Sequence, residues 1–219
     1  MEDEPGFSGV FLATLFQITT PVLGLTPFMA GCLSKEGRGL LILGPPGSGK
    51  TSCAYAASKL GLEFHSGMST FLELNEGKLC AWAECWPTLF REDTARFYPE
   101  LKYLGRRLEH RSGSLLSLDR AILGARSPQC VTPVLAVVLK RGTTESPRMT
   151  QLSMHEYFDL LQASLAFEEQ STVKNRQEQV LSKLGKIPAY RLTYGNDPAQ
   201  AAMFCRNLLT AQDLLKAVP

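Results

Sequence analysis

The stretch that most constrains this chain is Gly44-Pro45-Pro46-Gly47-Ser48-Gly49-Lys50-Thr51, which fits the pattern G-x-x-x-x-G-K-[ST]. Each fixed position answers a physical need. Gly44, Gly47 and Gly49 admit backbone dihedrals that a Cβ forbids and let N–H groups close around a polyphosphate. Lys50 can neutralise the β and γ oxygens, and Thr51 puts a hydroxyl where Mg²⁺ would be held. A Gly- and Pro-rich surface turn could spell the same letters, so the flanks decide. Ahead of the motif, Leu40-Leu41-Ile42-Leu43 is continuously apolar, as in a strand buried on both faces of a sheet. Behind it, residues 52–60 are rich in helix formers and stop at Gly61. The expectation is a phosphate loop between strand and helix. Gly44, Pro45, Pro46, Gly47, Ser48, Gly49, Lys50, Thr51 and Ser52 then form the nucleotide-binding set, with Thr51 on the metal and the helix dipole adding positive potential.

The rest of the composition narrows the class. The chain has 219 residues with 23 Lys plus Arg against 21 Asp plus Glu, a formal charge of +2, which speaks against a nucleic-acid or membrane binder working through bulk charge. Apolar residues make up 44%, enough for one sizeable core, so a single domain over residues 1–219 is expected. The acidic opening Met1-Glu2-Asp3-Glu4 lacks the basic start of a secretory signal, and the apolar stretch 10–16 is too short to span a bilayer. Cys32, Cys53, Cys80, Cys85, Cys130 and Cys205 include no CxxC pair and read as reduced thiols of a cytoplasmic protein, mostly core filler.

Along the chain, residues 1–36 read as an N-terminal lead-in, and residues 38–64 as strand, loop, helix and strand, one βαβ unit. Two β-rich runs around Asn75-Glu76-Gly77 then spell a hairpin where a further crossover helix would be usual. Residues 84–127 read as loops and short elements, and residues 134–139 as a second buried strand. Residues 145–219 read as mainly helical. Ser153 and Glu156 make a capping box, a polar Gln-rich helix follows, residues 187–194 form a last strand, and Asn196-Asp197-Pro198 opens a terminal helix. The fold class is therefore α/β, with a mixed sheet, a β-hairpin after the first βαβ unit and helices toward the C-terminus.

Phosphoryl transfer also needs acids, and here the candidates are weaker. Leu115-Leu116-Ser117-Leu118-Asp119 is the nearest spelling of an apolar strand ending in a metal-linked acid, although Asp119 serves equally as a cap before Arg120. Glu73 lies in the hairpin and could be a half-exposed strand residue or an acid. His65 sits at a strand end where open α/β sheets carry ligand contacts, yet a lone His is as readily structural. The strand over 134–139 ends in Lys140, which could bring a cation near the phosphates. Trp82, Trp86 and Phe90 read as packing for the hairpin.

The phosphate loop, the helix ending at Gly61, a short strand, a hairpin and then Phe97-Tyr98-Pro99-Glu100-Leu101 together resemble the catalytic domain of HPr kinase/phosphorylase. That family shares a nucleotide core with phosphoenolpyruvate carboxykinases. Residues 132–139 and the closing Tyr190-Arg191-Leu192-Thr193-Tyr194-Gly195 are similar too. The resemblance covers roughly residues 39–209. It implies ATP with Mg²⁺ and transfer of the γ-phosphoryl group to a serine hydroxyl of a protein or peptide. It carries over onto Gly44, Gly47, Gly49, Lys50 and Thr51. It also implies one or two Asp after the second strand, where this chain has His65-Ser66-Gly67-Met68, and a His near what is here Phe28. Restoring an Asp at Gly67 is accordingly expected to raise turnover.

Three functions remain in view: a kinase recruiting another acid, with Glu73 or Asp119 nearest; a catalytically impaired nucleotide-binding module that regulates a partner; and a small-molecule kinase of the adenylate kinase type. The last should carry helices where the hairpin is read. Homo-oligomerisation and a reverse phosphorylase reaction are left open by the residues.

Overall fold

The computed structural model describes residues 14–110, 113–124, 130–143, 146–166 and 171–216, with side chains placed except at 171–172 and 212–216. Its centre is a six-stranded mixed sheet built around the apolar run ahead of the loop over residues 44–51. Strand β3 (Arg38–Leu43) pairs in parallel with β10 (Thr132–Arg141), which pairs in parallel with β12 (Ala189–Tyr194). On the other side β2 (Gly31–Lys35) runs antiparallel to β3, and β4 (Glu63–Ser66) antiparallel to β2; β11 (Arg148–Gln151) closes the far edge against β12.

The continuous apolar character of β3 has a direct cause. Leu40 and Ile42 pack into one core with helix α1 (Lys50–Ser58) and helix α4 (Pro198–Lys216). Leu41 and Leu43 face a second core with α2 (Met154–Gln162) and α3 (Ser171–Leu184). All four leucine and isoleucine side chains are fully buried, and truncating one to Ala costs about 2–5 kcal/mol. Helix α1 buries the small Cys53, Ala54, Ala56 and Ala57 and one large ring, Tyr55, in the core it shares with β3.

Three expectations are corrected. Residues 1–36 are more than a lead-in, since β2 and β1 (Thr26–Phe28) lie there. The turn Glu36-Gly37, with φ of 53° and 76°, folds β2 back onto β3, the double positive φ of a tight hairpin. As a result β3, α1 and β4 keep the direction of a βαβ unit, but β2 is inserted between the two parallel strands. Second, β9 (Leu115–Leu118), ahead of Asp119, is no strand of the central sheet. It forms a separate antiparallel sheet with β7 (Thr88–Arg91) and β8 (Arg106–Leu108). Third, the mainly helical stretch 146–216 holds one strand beyond the expected β12, since β11 runs antiparallel to it at the sheet edge.

The hairpin falls where the residues place it, as β5 (Thr70–Asn75) and β6 (Lys78–Ala83) around Glu76 and Gly77 with φ of 50° and 75°. It joins β1 in a second antiparallel sheet. The Ser153–Glu156 capping box starts α2, and Asp197 Oδ1 accepts from Ala199 N at 2.9 Å at the start of α4. The Gln-rich helix buries Gln177, Val180, Leu181 and Leu184, so only one of its faces is polar. No helix among the described residues is long and apolar enough to cross a membrane.

Candidate functional site

The loop between β3 and α1 takes the form its glycines allow. Pro45, Pro46 and Gly47 are exposed at its tip, while Ser48 and Lys50 are buried. Ser48 N donates to Pro45 O at 3.1 Å, and the first intrahelical bond of α1 runs from Cys53 N to Gly49 O at 2.8 Å. The N–H groups of Lys50, Thr51 and Ser52 therefore precede the helical ladder and have no acceptor within it. Lys50 Nζ donates to Gly44 O at 2.7 Å and Pro45 O at 3.3 Å, so the ammonium lies folded over its own loop. Burial holds it below its ordinary pKa. Ser48 Oγ is buried with no hydrogen-bond partner among the described residues.

Two residues that sequence reasoning missed close over this loop from the ends of neighbouring strands. Tyr194, the last residue of β12, donates its hydroxyl to Ser48 O at 2.7 Å. Gly49 has φ of 93°, and a Cβ there would run into that same Tyr194 hydroxyl and lie 3.4 Å from Arg141 Nη2. Burial pushes the Tyr194 phenol up, and the neighbouring Arg141 guanidinium offsets part of that shift.

The cation beside the loop is thus Arg141 and not Lys140. Along β10, Leu135, Val137 and Leu139 face the core containing α1, whereas Ala136 and Val138 face the opposite core. Alternation puts Arg141 on the loop's side and Lys140 on the other. The pleat was legible in the residues, but which face meets the loop depends on the register with β3, in which Val138 stands opposite Leu43.

Thr51 Oγ1 donates to Gly67 O at 3.1 Å. Gly67 belongs to the turn after β4, where the resemblance implies an Asp. A carboxylate does reach this turn, from elsewhere: Glu84, just past the hairpin strand β6, is 1% exposed. Its Oε1 accepts from Gly67 N at 3.0 Å and from Thr88 Oγ1 at 3.2 Å, and its Oε2 accepts from Ser69 N at 3.1 Å. Burial pushes the Glu84 carboxyl up; the Gly67 and Ser69 N–H groups, the charge of Arg120 and Thr88 pull it back. No motif flags this residue. It follows an ordinary Ala-Trp-Ala strand end, and it is buried where Thr88 of β7 meets the turn.

Each of the three acid or base candidates holds one polar atom in a structural bond. Glu73 Oε2 accepts from Trp82 Nε1 at 2.8 Å across the hairpin. Asp119 Oδ1 accepts from Ala121 N at 2.8 Å as a turn cap. His65 is 8% exposed, its Nε2 lies 3.0 Å from Ala81 O, and burial pulls its pKa down. A neutral ring donating to that carbonyl is the consistent state. These residues do not converge on the loop. It is Arg120, and not Asp119, that touches the turn's neighbourhood, donating to His65 O at 3.2 Å. Trp86 packs edge-on against Phe71 and Phe16, and Phe90 against Tyr55. A cleft of about 450 Å³ lies at the other end of α1, lined among others by Tyr55, Lys59, Phe64 and Glu100.

The donors fit a polyphosphate: Lys50, Arg141 and the leading N–H groups of α1 lie at one loop. Among the described residues no group of three or more His, Cys, Asp or Glu could hold a metal ion. A Mg²⁺ here would be held through Thr51 and phosphate oxygens, the way this ion binds when it comes with its nucleotide.

No protein-family profile matches the chain. No curated protein matches it either. Among solved structures, the HPr(Ser) kinase/phosphatase from Coxiella burnetii aligns over 87% of this chain and 91% of its own, at 12% identity and a TM-score of 0.41.

Proposed function

We propose that the chain is a nucleotide-binding domain that holds Mg-ATP through Gly44, Pro45, Pro46, Gly47, Ser48, Gly49, Lys50, Thr51 and Ser52, with Thr51 as the protein's metal ligand. The supporting observation is the loop itself, where the start of α1, Lys50 and Arg141 offer positive charge and N–H donors to one anion. When bound, Mg²⁺ would neutralise charge on the phosphate oxygens. Lys50 would exchange its bonds to Gly44 O and Pro45 O for phosphate oxygens. Thr51, with its hydrogen directed to Gly67 O, keeps its lone pairs for the metal.

The domain acts first as a binding module whose nucleotide state is read by a partner. Glu73, Asp119 and His65 each hold one polar atom in a structural bond, and Glu84 is enclosed. Lacking a general base typically costs 10²- to 10⁴-fold. The second reading is transfer of the γ-phosphoryl group to a serine hydroxyl of a protein or peptide. It draws on Arg141, a cation of the kind that stabilises the charge of phosphoryl transfer.

Titration calorimetry with Mg-ATP tests the binding. Lys50→Ala is expected to lower affinity by about 10- to 100-fold, and unchanged affinity would refute the assignment of the loop. Incubation with γ-labelled ATP and candidate acceptors separates the two readings, since label moving to a serine establishes the kinase.

A further inference from the structure

A pair of close thiols that the proposed nucleotide site does not use lies where the hairpin meets the entry of β10. Cys80 on β6 is half-buried, Cys130 just ahead of β10 is exposed, and the Cys80 thiol donates to Cys130 Sγ at 2.8 Å. Their backbones are held together independently of the sulfurs. Ala81 N donates to Val131 O at 2.8 Å and Val131 N to Ala81 O at 3.0 Å, a two-bond bridge one residue from each cysteine. The two sulfurs lie within about an ångström of bonding distance, on backbone that is already paired. The other close pair, Cys53 and Cys205 at 3.8 Å, is fully buried between α1 and α4 and out of reach of solution oxidants.

We propose that Cys80 and Cys130 form a reversible intramolecular disulfide by exchange with a low-molecular-weight disulfide, covalently joining the hairpin sheet to the entry of β10. The thiolate of Cys130, the exposed partner, attacks one sulfur of the external disulfide. A Cys130 mixed disulfide forms and one small thiolate leaves. Cys80 then attacks Cys130 Sγ, forming the Cys80–Cys130 bond and expelling the second small thiolate. The two cysteine protons end on the two released thiols. Both cysteines are oxidised, and the external disulfide takes up both electrons.

The order of attack follows from access. Burial, and next the hydrogen bond to Cys130, push the Cys80 thiol up to about 11, so it is a poor first nucleophile in solution. It needs only to react with a sulfur already held beside it. The bond would pin β6 against β10, and β6 leads directly into Glu84, whose carboxylate grips the Gly67 turn beside Thr51.

The full chain is incubated with oxidised glutathione, remaining thiols are alkylated, and intact mass and peptide maps are read. The expected product is a monomer that has lost two hydrogen atoms, with two fewer alkylated cysteines and a Cys80–Cys130 linked peptide, all reversed by dithiothreitol. Cys80→Ser is expected to accumulate a stable glutathione adduct on Cys130, and Cys130→Ser to form no internal disulfide. A wild-type chain that keeps glutathione on Cys130, is modified only at the exposed Cys85, links between molecules, or does not react would overturn the proposal.

Discussion

The Thr51 hydroxyl donates its hydrogen to the carbonyl oxygen of Gly67 at 3.1 Å, and the N–H of the same Gly67 is donated to the buried carboxylate of Glu84 at 3.0 Å. One residue thus connects the glycine-rich loop to an acid rooted in another sheet. The hydroxyl keeps its lone pairs while its orientation is set by a backbone carbonyl. Thr51→Val, which keeps the shape and removes the oxygen, is expected to weaken Mg-ATP binding by about tenfold. ATP with the metal chelated should lose far less, and calorimetry with and without EDTA measures the difference.

Arg141 and Lys140 are neighbours in sequence on opposite faces of β10. Arg141→Gln is expected to reduce affinity for Mg-ATP by about tenfold or more, the loss of one charge-assisted contact. Lys140→Gln should leave it within error. Equal effects of the two changes would show that bulk charge, and not the face of the strand, attracts the nucleotide.

Glu84 satisfies Gly67 N, Ser69 N and Thr88 Oγ1 in a place water does not reach. Glu84→Ala strands these donors at about 1–3 kcal/mol for each buried group left unpaired. A drop of about 3 kcal/mol or more in urea unfolding is expected. Glu84→Gln, which retains an acceptor oxygen, should cost less.

The packing argues against the gain expected from an Asp at Gly67. A Cβ there would lie 2.8 Å from Thr88 Cγ2 and 2.9 Å from Thr51 Cγ2, closer than side chains tolerate. Gly67→Asp is expected to lower the unfolding midpoint and weaken Mg-ATP binding by displacing Thr51, with no rise in label transfer from γ-labelled ATP.

His65 is held below its ordinary pKa mainly by burial. Above about 6.5, the unfolded value, the ring is neutral in both states and the Ala81 bond stabilises fully. As pH falls below that value the unfolded chain takes up a proton that the folded chain resists, and stability declines through the depressed folded pKa. His65→Gln should flatten this part of the profile, checked by chemical denaturation from pH 7.5 to 5 in steps. An unchanged acid limb would place the titration elsewhere.

Local pattern by itself determined the strand, loop and helix around Lys50, the hairpin at Glu76 and Gly77, the capping box at Ser153 and the strand over 134–139. In each case the signal lies within a few residues: steric freedom at glycine, unbroken apolar runs, a cap three residues from its partner. The strand β2 was not legible because Gly31, Cys32 and Ser34 lack the β-branched signature, and its place beside β3 comes from a two-residue turn. Asp119 read as a strand-end acid because its apolar run is real, but the choice of sheet is not written in that run. Glu84, Arg141 and Tyr194 acquire their positions only in three dimensions. Burial, register and the closeness of strand ends are sums over distant residues, so a carboxylate from the end of the hairpin could come to stand behind Gly67 without any mark in its own neighbourhood.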